Sequence, residues 1–273
     1  TASESYVAWA WKAGGAPTVD NSASAGAAPT LGSVMIDGVA STATLAGSIA
    51  ATKISANTAA GFSIVKYTGN NTDNATVGHG LGVAPNLVIV KDLDATQYWC
   101  VGGSTVGDGK NLYLNDSGVK LTRDRVKSVQ TNTFTLGNHF ETNSTNDFIS
   151  YCFANIDGYQ RIGSYTGNGL SNGPFVYTGF KPAWVMIKSS STGNSGDWII
   201  LDNARNPVNT LNARIDANAS DDEATDAIMD FHSNGFKLIT SSAAKNRDGY
   251  EFIYLAIAED PAKYAQGTGQ QSD

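Results

Sequence analysis

The sequence predicts an all-β protein: tandem β-sandwich domains, two of them full repeats of about 100 residues, preceded by an N-terminal extended arm. Three observations predict it. The composition favours strands and turns over helices. The chain repeats itself at the spacing of one small domain. Its apolar residues come either in period-two alternation or in short continuous runs of strand length.

Of 273 residues, 41% are hydrophobic and only 16% charged, and 29 are glycine. The charged share falls well below the roughly 25% of an ordinary globular domain. Gly, Ser, Thr and Asn take its place. Gly, Thr and Asn weaken a helix relative to Ala, whereas short strands joined by tight turns accept this mixture. Composition also bounds function. A net charge of −7, with 18 basic residues scattered along the chain, offers no cationic face to a nucleic-acid backbone, so nucleic acid is not an expected partner. No apolar run reaches the about 18 residues that a membrane-crossing helix needs, so no membrane span is expected. Two cysteines, Cys100 and Cys152, do not make a disulfide framework.

The repeat is explicit. Tyr67-Thr68-Gly69-Asn70 recurs as Tyr165-Thr166-Gly167-Asn168. Gly82 to Lys91 matches Gly179 to Lys188, Trp99 matches Trp198, Asn132 to Leu136 matches Asn234 to Leu238, and Phe148-Ile149 matches Phe252-Ile253. The offsets are 98, 97, 99, 102 and 104, in order and nearly constant. Such a spacing is too long for a solenoid repeat and right for one small domain. The expected units are 61–158 and 159–261. A partial third copy is expected at the start: Tyr6-Val7-Ala8-Trp9-Ala10-Trp11-Lys12 resembles the closing segments Phe148 to Ala154 and Phe252 to Ala258. Residues 1–13 are therefore expected to be the last strand of an upstream unit.

Within the units, the closing segment alternates. Ile149, Tyr151 and Phe153, then Ile253, Leu255 and Ile257, carry the bulk on one face, and small residues such as Ser150, Cys152, Ala256 and Ala258 lie on the other. This is the pattern of a strand packing its bulky face on a core. Leu87 to Val90 and Trp184 to Ile187 are continuous apolar runs opened by Pro85 and Pro182, which mark strand starts because proline donates nothing to a ladder. One helix is expected from Ser220-Asp221-Asp222-Glu223, a capping-box pattern followed by a stripe of Ala224, Ala227, Ile228 and Phe231. Residues 14–60, rich in Ala, Gly, Ser and Thr, are expected to be the arm, with a small hairpin at Val34-Met35-Ile36-Asp37-Gly38. Residues 262–273 read as a polar tail.

Catalytic signatures are not found: no zinc-protease, phosphate-loop, nucleophile-elbow or paired-cysteine motif. His79, His139 and His232 stand apart at no metal-ligand spacing. Asp92 and Asp94 form an Asp-x-Asp pair of a kind that calcium uses, weighed against a solvated loop. Trp184 is weighed between core and a sugar-stacking surface. Cys100 and Cys152 fill small apolar slots and are expected to be buried, unreactive thiols. No cofactor and no enzymatic activity are expected. A glycosidase's two carboxylates converge in space rather than in sequence, but the second unit's acidic cluster reads as the helix start.

The units resemble a domain of uncharacterised function found in tandem in tail-fibre-like and virion-appendage proteins of marine bacteriophages. The resemblance rests on Tyr6 to Gly15, Thr58 to Gly69, Gly78 to Pro85 and Gly173 to Phe180. It implies a non-enzymatic structural or adhesion module on the virion exterior, spacing or presenting host attachment. Its implied partners are other virion proteins, its own copies in a homo-oligomer, and a host-surface glycan. A capsid decoration protein, a glycan-binding lectin module and, behind them, a glycan depolymerase are the alternatives. The resemblance transfers no binding residues.

Overall fold

The computed structural model describes residues 6–21 and 28–260. It is essentially all-β, with 41% strand and 2% helix. Three strands come first: β1 (Val34–Ile36), β2 (Val39–Ala40) and β3 (Lys53–Asn57). The first half then holds β4 (Phe62–Thr68), β5 (Ala75–Gly78), β6 (Leu87–Asp92), β7 (Cys100–Gly102), β8 (Lys110–Tyr113), β9 (Leu121–Thr122), β10 (Val126–Val129), β11 (Thr133–Leu136) and β12 (Asp147–Phe153). The second half holds β13 (Gln160–Thr166), β14 (Phe175–Tyr177), β15 (Pro182–Ser189), β16 (Ile199–Asp202), β17 (Leu211–Asp216), β18 (Ala224–His232), β19 (Gly235–Leu238), a single-turn helix α1 (Ala243–Asn246) and β20 (Glu251–Ala258).

In the first half a sheet of order β2-β1-β3-β4-β12-β6-β7-β8-β9 packs with a sheet of order β10-β11-β5 around one core that includes Val65, Val88, Val90, Phe134 and Leu136. The second half is one eight-stranded, nearly closed, barrel-like sheet of order β13-β20-β15-β16-β17-β18-β19-β14. The difference lies in strand length. β17 is six residues long and pairs with β16 at its end and with β18 at its start. β8 has four residues, Leu112 and Tyr113 pairing with β7 and Lys110 and Asn111 with β9, so none remains for β10.

The motif Tyr-Thr-Gly-Asn does the same work in both halves. Tyr67 stacks on Phe148 at 5.4 Å and meets Phe134 edge-on, as Tyr165 stacks on Phe252 at 5.1 Å and meets Phe236 edge-on. The Tyr67 hydroxyl donates to the Thr142 carbonyl and the Tyr165 hydroxyl to the Lys245 carbonyl, both at 2.7 Å. The next residue in each case, Asn143 or Asn246, accepts the backbone N–H of Asn70 or Asn168. Each buried phenol is thereby satisfied and pins the loop before the closing strand.

The bulky face of each closing strand packs on a core, as the alternation predicts, but that core is shared between the halves and the small face is buried as well. Phe252, Tyr254, Ala256 and Ala258 point into the second half's own core, and Phe148, Cys152 and Ala154 into the first. The bulky face instead builds a third core between the halves, where Phe62, Leu87, Ile89 and Phe153 meet Trp184, Met186, Ile200, Ile253 and Leu255. Small residues suffice inward because the opposing strands supply Phe134 and Phe236. Ile253 and Leu255 are buried, whereas Tyr151 and Ile257 are half-buried and packed against this core. Polar ties cross the same seam. The Trp198 indole N–H donates to the Tyr113 carbonyl at 2.7 Å, and Lys188 donates to the Ser117 and Gly118 carbonyls. Burial pushes the Lys188 amine down to about 8.

Three expectations about elements fail. Residues 220–231 are not a helix: β18 runs through them, held between β17 and β19. Two flanking ladders outweigh a capping pattern on four residues, since local propensity yields to tertiary pairing. In place of an arm, residues 34–57 form three strands, and β3 extends the first half's sheet at β4. The Asp37-Gly38 hairpin itself forms, with both residues at positive φ, as its type I′ turn requires. Among the described residues Tyr6 to Ala13 form no strand. Instead Trp9 and Trp11 pack edge-on against Trp184 in the seam, and the Asn57 side chain donates to the Lys12 carbonyl. The polar tail expected at 262–273 and the first five residues lie outside the described residues.

Candidate functional site

The seam between the halves is incompletely filled. A cleft of about 440 Å³ remains, walled by Trp9, Trp11, Trp99, Trp184, Tyr151 and Phe153 among others. Four of the chain's five tryptophans thus line one cavity. A second, more open groove of about 640 Å³ shares Trp99 and Tyr151 with it and mixes polar with apolar groups, lined by the loop from Lys91 to Gln97, by Asn115 and by Ile149. The rings of Trp99 and Tyr151 lie nearly parallel, 6.3 Å apart at 17°. Apolar pockets with a few polar groups at a boundary between packed units are where proteins hold small ligands.

The elements that place these rings follow from the sequence. Trp99 stands just before β7, and its backbone N–H donates to the Asn115 side-chain oxygen at 2.9 Å. The matching Trp198 has the same cap from Asn218, at 2.7 Å. The two indoles then part company. Trp198 is 1% exposed and its N–H is spent on Tyr113, whereas Trp99 is half-buried beside the groove and its N–H has no partner within the described residues. Tyr151 comes from the bulky face of β12, where burial raises its phenol above the usual range.

The residues singled out in the sequence do not converge on one place. Trp184 is 6% exposed, enclosed by Trp9, Trp11 and Ile257's neighbours in the third core, so it serves the seam and is no surface platform. Asp92 is buried, and its carboxylate accepts the backbone N–H groups of Asp94 and Ala95 and both contacts from the Asn146 side-chain amide. Asp94 accepts the Asp147 N–H at 2.7 Å. These oxygens fasten the loop to the start of β12. Among the described residues no three His, Cys, Asp or Glu side chains gather as metal ligands would.

His79 is fully buried. Its Nδ1 accepts the Leu81 N–H and its Nε2 lies 3.1 Å from the Gln130 carbonyl, which assigns the proton to Nε2. Burial holds its pKa below the ordinary value. A dense polar cluster surrounds Glu141. Its Oε2 pairs with Arg125 and accepts from the Tyr113 hydroxyl at 3.1 Å and from the Cys100 thiol at 3.8 Å, with His139 Nδ1 at 3.4 Å. A thiol, a carboxylate and an imidazole would be the parts of a nucleophilic site. Here the thiol is 0% exposed, and burial and the Glu141 charge push it well above the ordinary range, towards its unreactive form. Burial likewise pushes Cys152 up to about 12. The cluster pins β7, β8 and β10 together.

The groove is not legible in the sequence. Its only signal is that a polar loop, Asp94-Ala95-Thr96-Gln97, runs straight into Tyr98-Trp99. A family described as a domain of unknown function, DUF7483, matches residues 35–261. The chain belongs to this family. Its span is continuous through both halves and opens inside β1, so the strands before β4 go with the rest. No curated protein and no solved structure matches the chain. No helix among the described residues is long and apolar enough to cross a membrane.

Proposed function

We propose that the chain is a non-enzymatic structural or adhesion module of a phage tail fibre or other virion appendage, on the virion exterior, where it spaces or presents a host-binding element. Its two halves are tandem copies of one domain. The observation that carries this is the pairing order: β4-β12-β6-β7-β8 in the first half and β13-β20-β15-β16-β17 in the second run through equivalent strands, as β10-β11-β5 and β18-β19-β14 do. Two such units packed back to back through a third core make a stiff spacer. The buried state of the Cys100 thiol and the Glu141 carboxylate favours a structural role for their cluster over catalysis. Its partners are other virion proteins and its own copies. Immunogold electron microscopy of the parent particle tests the location: label on tail fibres is expected, and label confined to the capsid interior, or no label on particles, sinks it. Decoration of the head lattice is the alternative outcome, recognised by hundreds of copies per particle.

A further inference from the structure

We propose that the groove formed by Trp99, Tyr151 and the loop from Lys91 to Gln97 binds a neutral saccharide. The inference deepens the adhesion reading and rests on it, giving the presented ligand a chemical class and a place.

A pyranose shows a protein two kinds of surface. One is a flat face of C–H groups, which takes an aromatic ring. The other is a rim of hydroxyls, each donor and acceptor, which takes polar groups not already bonded elsewhere. The groove supplies both. Trp99 and Tyr151 are half-buried, held from behind by the third core, and lie nearly parallel at 17°. Around them are polar groups without a partner in the described chain: the Trp99 indole N–H, the Tyr151 hydroxyl, the Thr96 hydroxyl, the Gln97 carboxamide and the Asn115 side-chain NH2. Asp94 adds one free carboxylate oxygen, its other being taken by the Asp147 N–H. Five neutral hydrogen-bonding groups thus stand accessible and uncommitted around one aromatic pair, which is the arrangement a sugar's C–H face and hydroxyl rim require.

Charge narrows the class. The one lysine in the groove, Lys91, already donates to the Asp92 and Ala95 carbonyls at 2.6 and 3.0 Å. No arginine lines the groove. A phosphate or a nucleotide would therefore find a single cation whose N–H groups are already engaged, against the two carboxylates of Asp92 and Asp94. A neutral polyol meets no such cost. The second half shows what the same tryptophan does when it is structural: Trp198, with the same asparagine cap, is buried and its indole N–H is spent on Tyr113. Of these two matching tryptophans Trp99 is the one left open, so one such site per chain is expected among the described residues.

The test uses the purified full chain with methyl glycosides of glucose, galactose, mannose and N-acetylglucosamine, and a glycan microarray. Tryptophan fluorescence and calorimetric titration read the binding. The expected result is saturable binding of at least one saccharide with one site per chain, weakened about tenfold or more by Trp99→Ala and several-fold by Gln97→Ala. Gln97 and Thr96 lie in the loop outside every core, so Gln97→Ala and Thr96→Val keep the test valid if Trp99→Ala does not fold. Three results overturn the proposal: no saccharide bound at millimolar concentration, binding that these variants leave unchanged, or a peptide or nucleotide bound at these residues in place of sugar. A negative result here leaves the particle-labelling outcome untouched, so the two readings fail separately.

Discussion

Gly69 and Gly167 are glycines because a carbonyl stands where their Cβ would be. A methyl on Gly69 would sit 1.9 Å from the Ser144 oxygen, and one on Gly167 2.3 Å from the Arg247 oxygen. Neither has a left-handed φ, so the need is for close approach, not for backbone freedom. The sequence shows the motif Tyr-Thr-Gly-Asn twice. It does not show the reason, which lies more than 70 residues away along the chain, in the loop that the tyrosine and asparagine also hold. His79 is the second case. It reads as a turn residue next to glycines and proves to be a buried neutral imidazole bonded on both sides. Its folded pKa is lowered, chiefly by burial, from 6.5. Above that value both folded and unfolded states are neutral and there is no penalty. As pH falls through it, the unfolded chain takes up the proton first, and stability is lost until the lower folded pKa is reached. Urea midpoints measured from pH 7.5 down to 5 should therefore fall. The His79→Gln variant should fall less steeply, and equal slopes would show that His79 is not the linked group. His139, also lowered by burial, contributes in the same direction and stays in both proteins.

At the scale of elements, what was legible is what local sequence decides. The small hairpin at Val34 to Gly38 and the proline-opened runs of β6 and β15 follow from their own residues and form in the structure. β18 carries a helical signal because its apolar residues satisfy two periods. Ala224, Ala227, Ile228 and Phe231 make a helical stripe, yet Met229 and Phe231 also fit a strand, and the choice falls to β17 and β19. The difference is measurable at Ala227, which is exposed. In a helix, Ala227→Thr would cost about 0.5 kcal/mol. In a strand, the same change should be neutral or stabilising by up to about 1 kcal/mol. Denaturant unfolding distinguishes the two signs, and a loss of half a kilocalorie or more would return the segment to a helix. The same limit explains residues 34–57. Their small residues read as an arm because nothing local says that β4 has a free edge for β3 to fill.

The whole molecule turns on a question that alternation alone leaves open, namely which core a face belongs to. Ile253 and Leu255 were recognisable as a buried face, and so was the smallness of Ala256 and Ala258 behind them. Only the pairing of both halves shows that the bulky face makes the seam. With three cores sharing their sheets, the halves should not unfold independently. Calorimetry of the native chain should show one transition whose measured and van't Hoff enthalpies agree. Trp198 is the side chain to remove. It is 1% exposed, it fills the seam beside Val101 and Leu112, and its N–H holds Tyr113. Trp198→Ala should cost about 3–5 kcal/mol, the usual range for a large buried aromatic. The loss should fall on the coupling between halves more than on either interior, because the phenol-pinned cores around Tyr67 and Tyr165 are untouched. The variant should therefore melt in two steps where the native chain melts in one. If it keeps a single transition with a loss below about 1 kcal/mol, the seam does not hold the halves together and the stiffness assigned to the spacer has no physical basis.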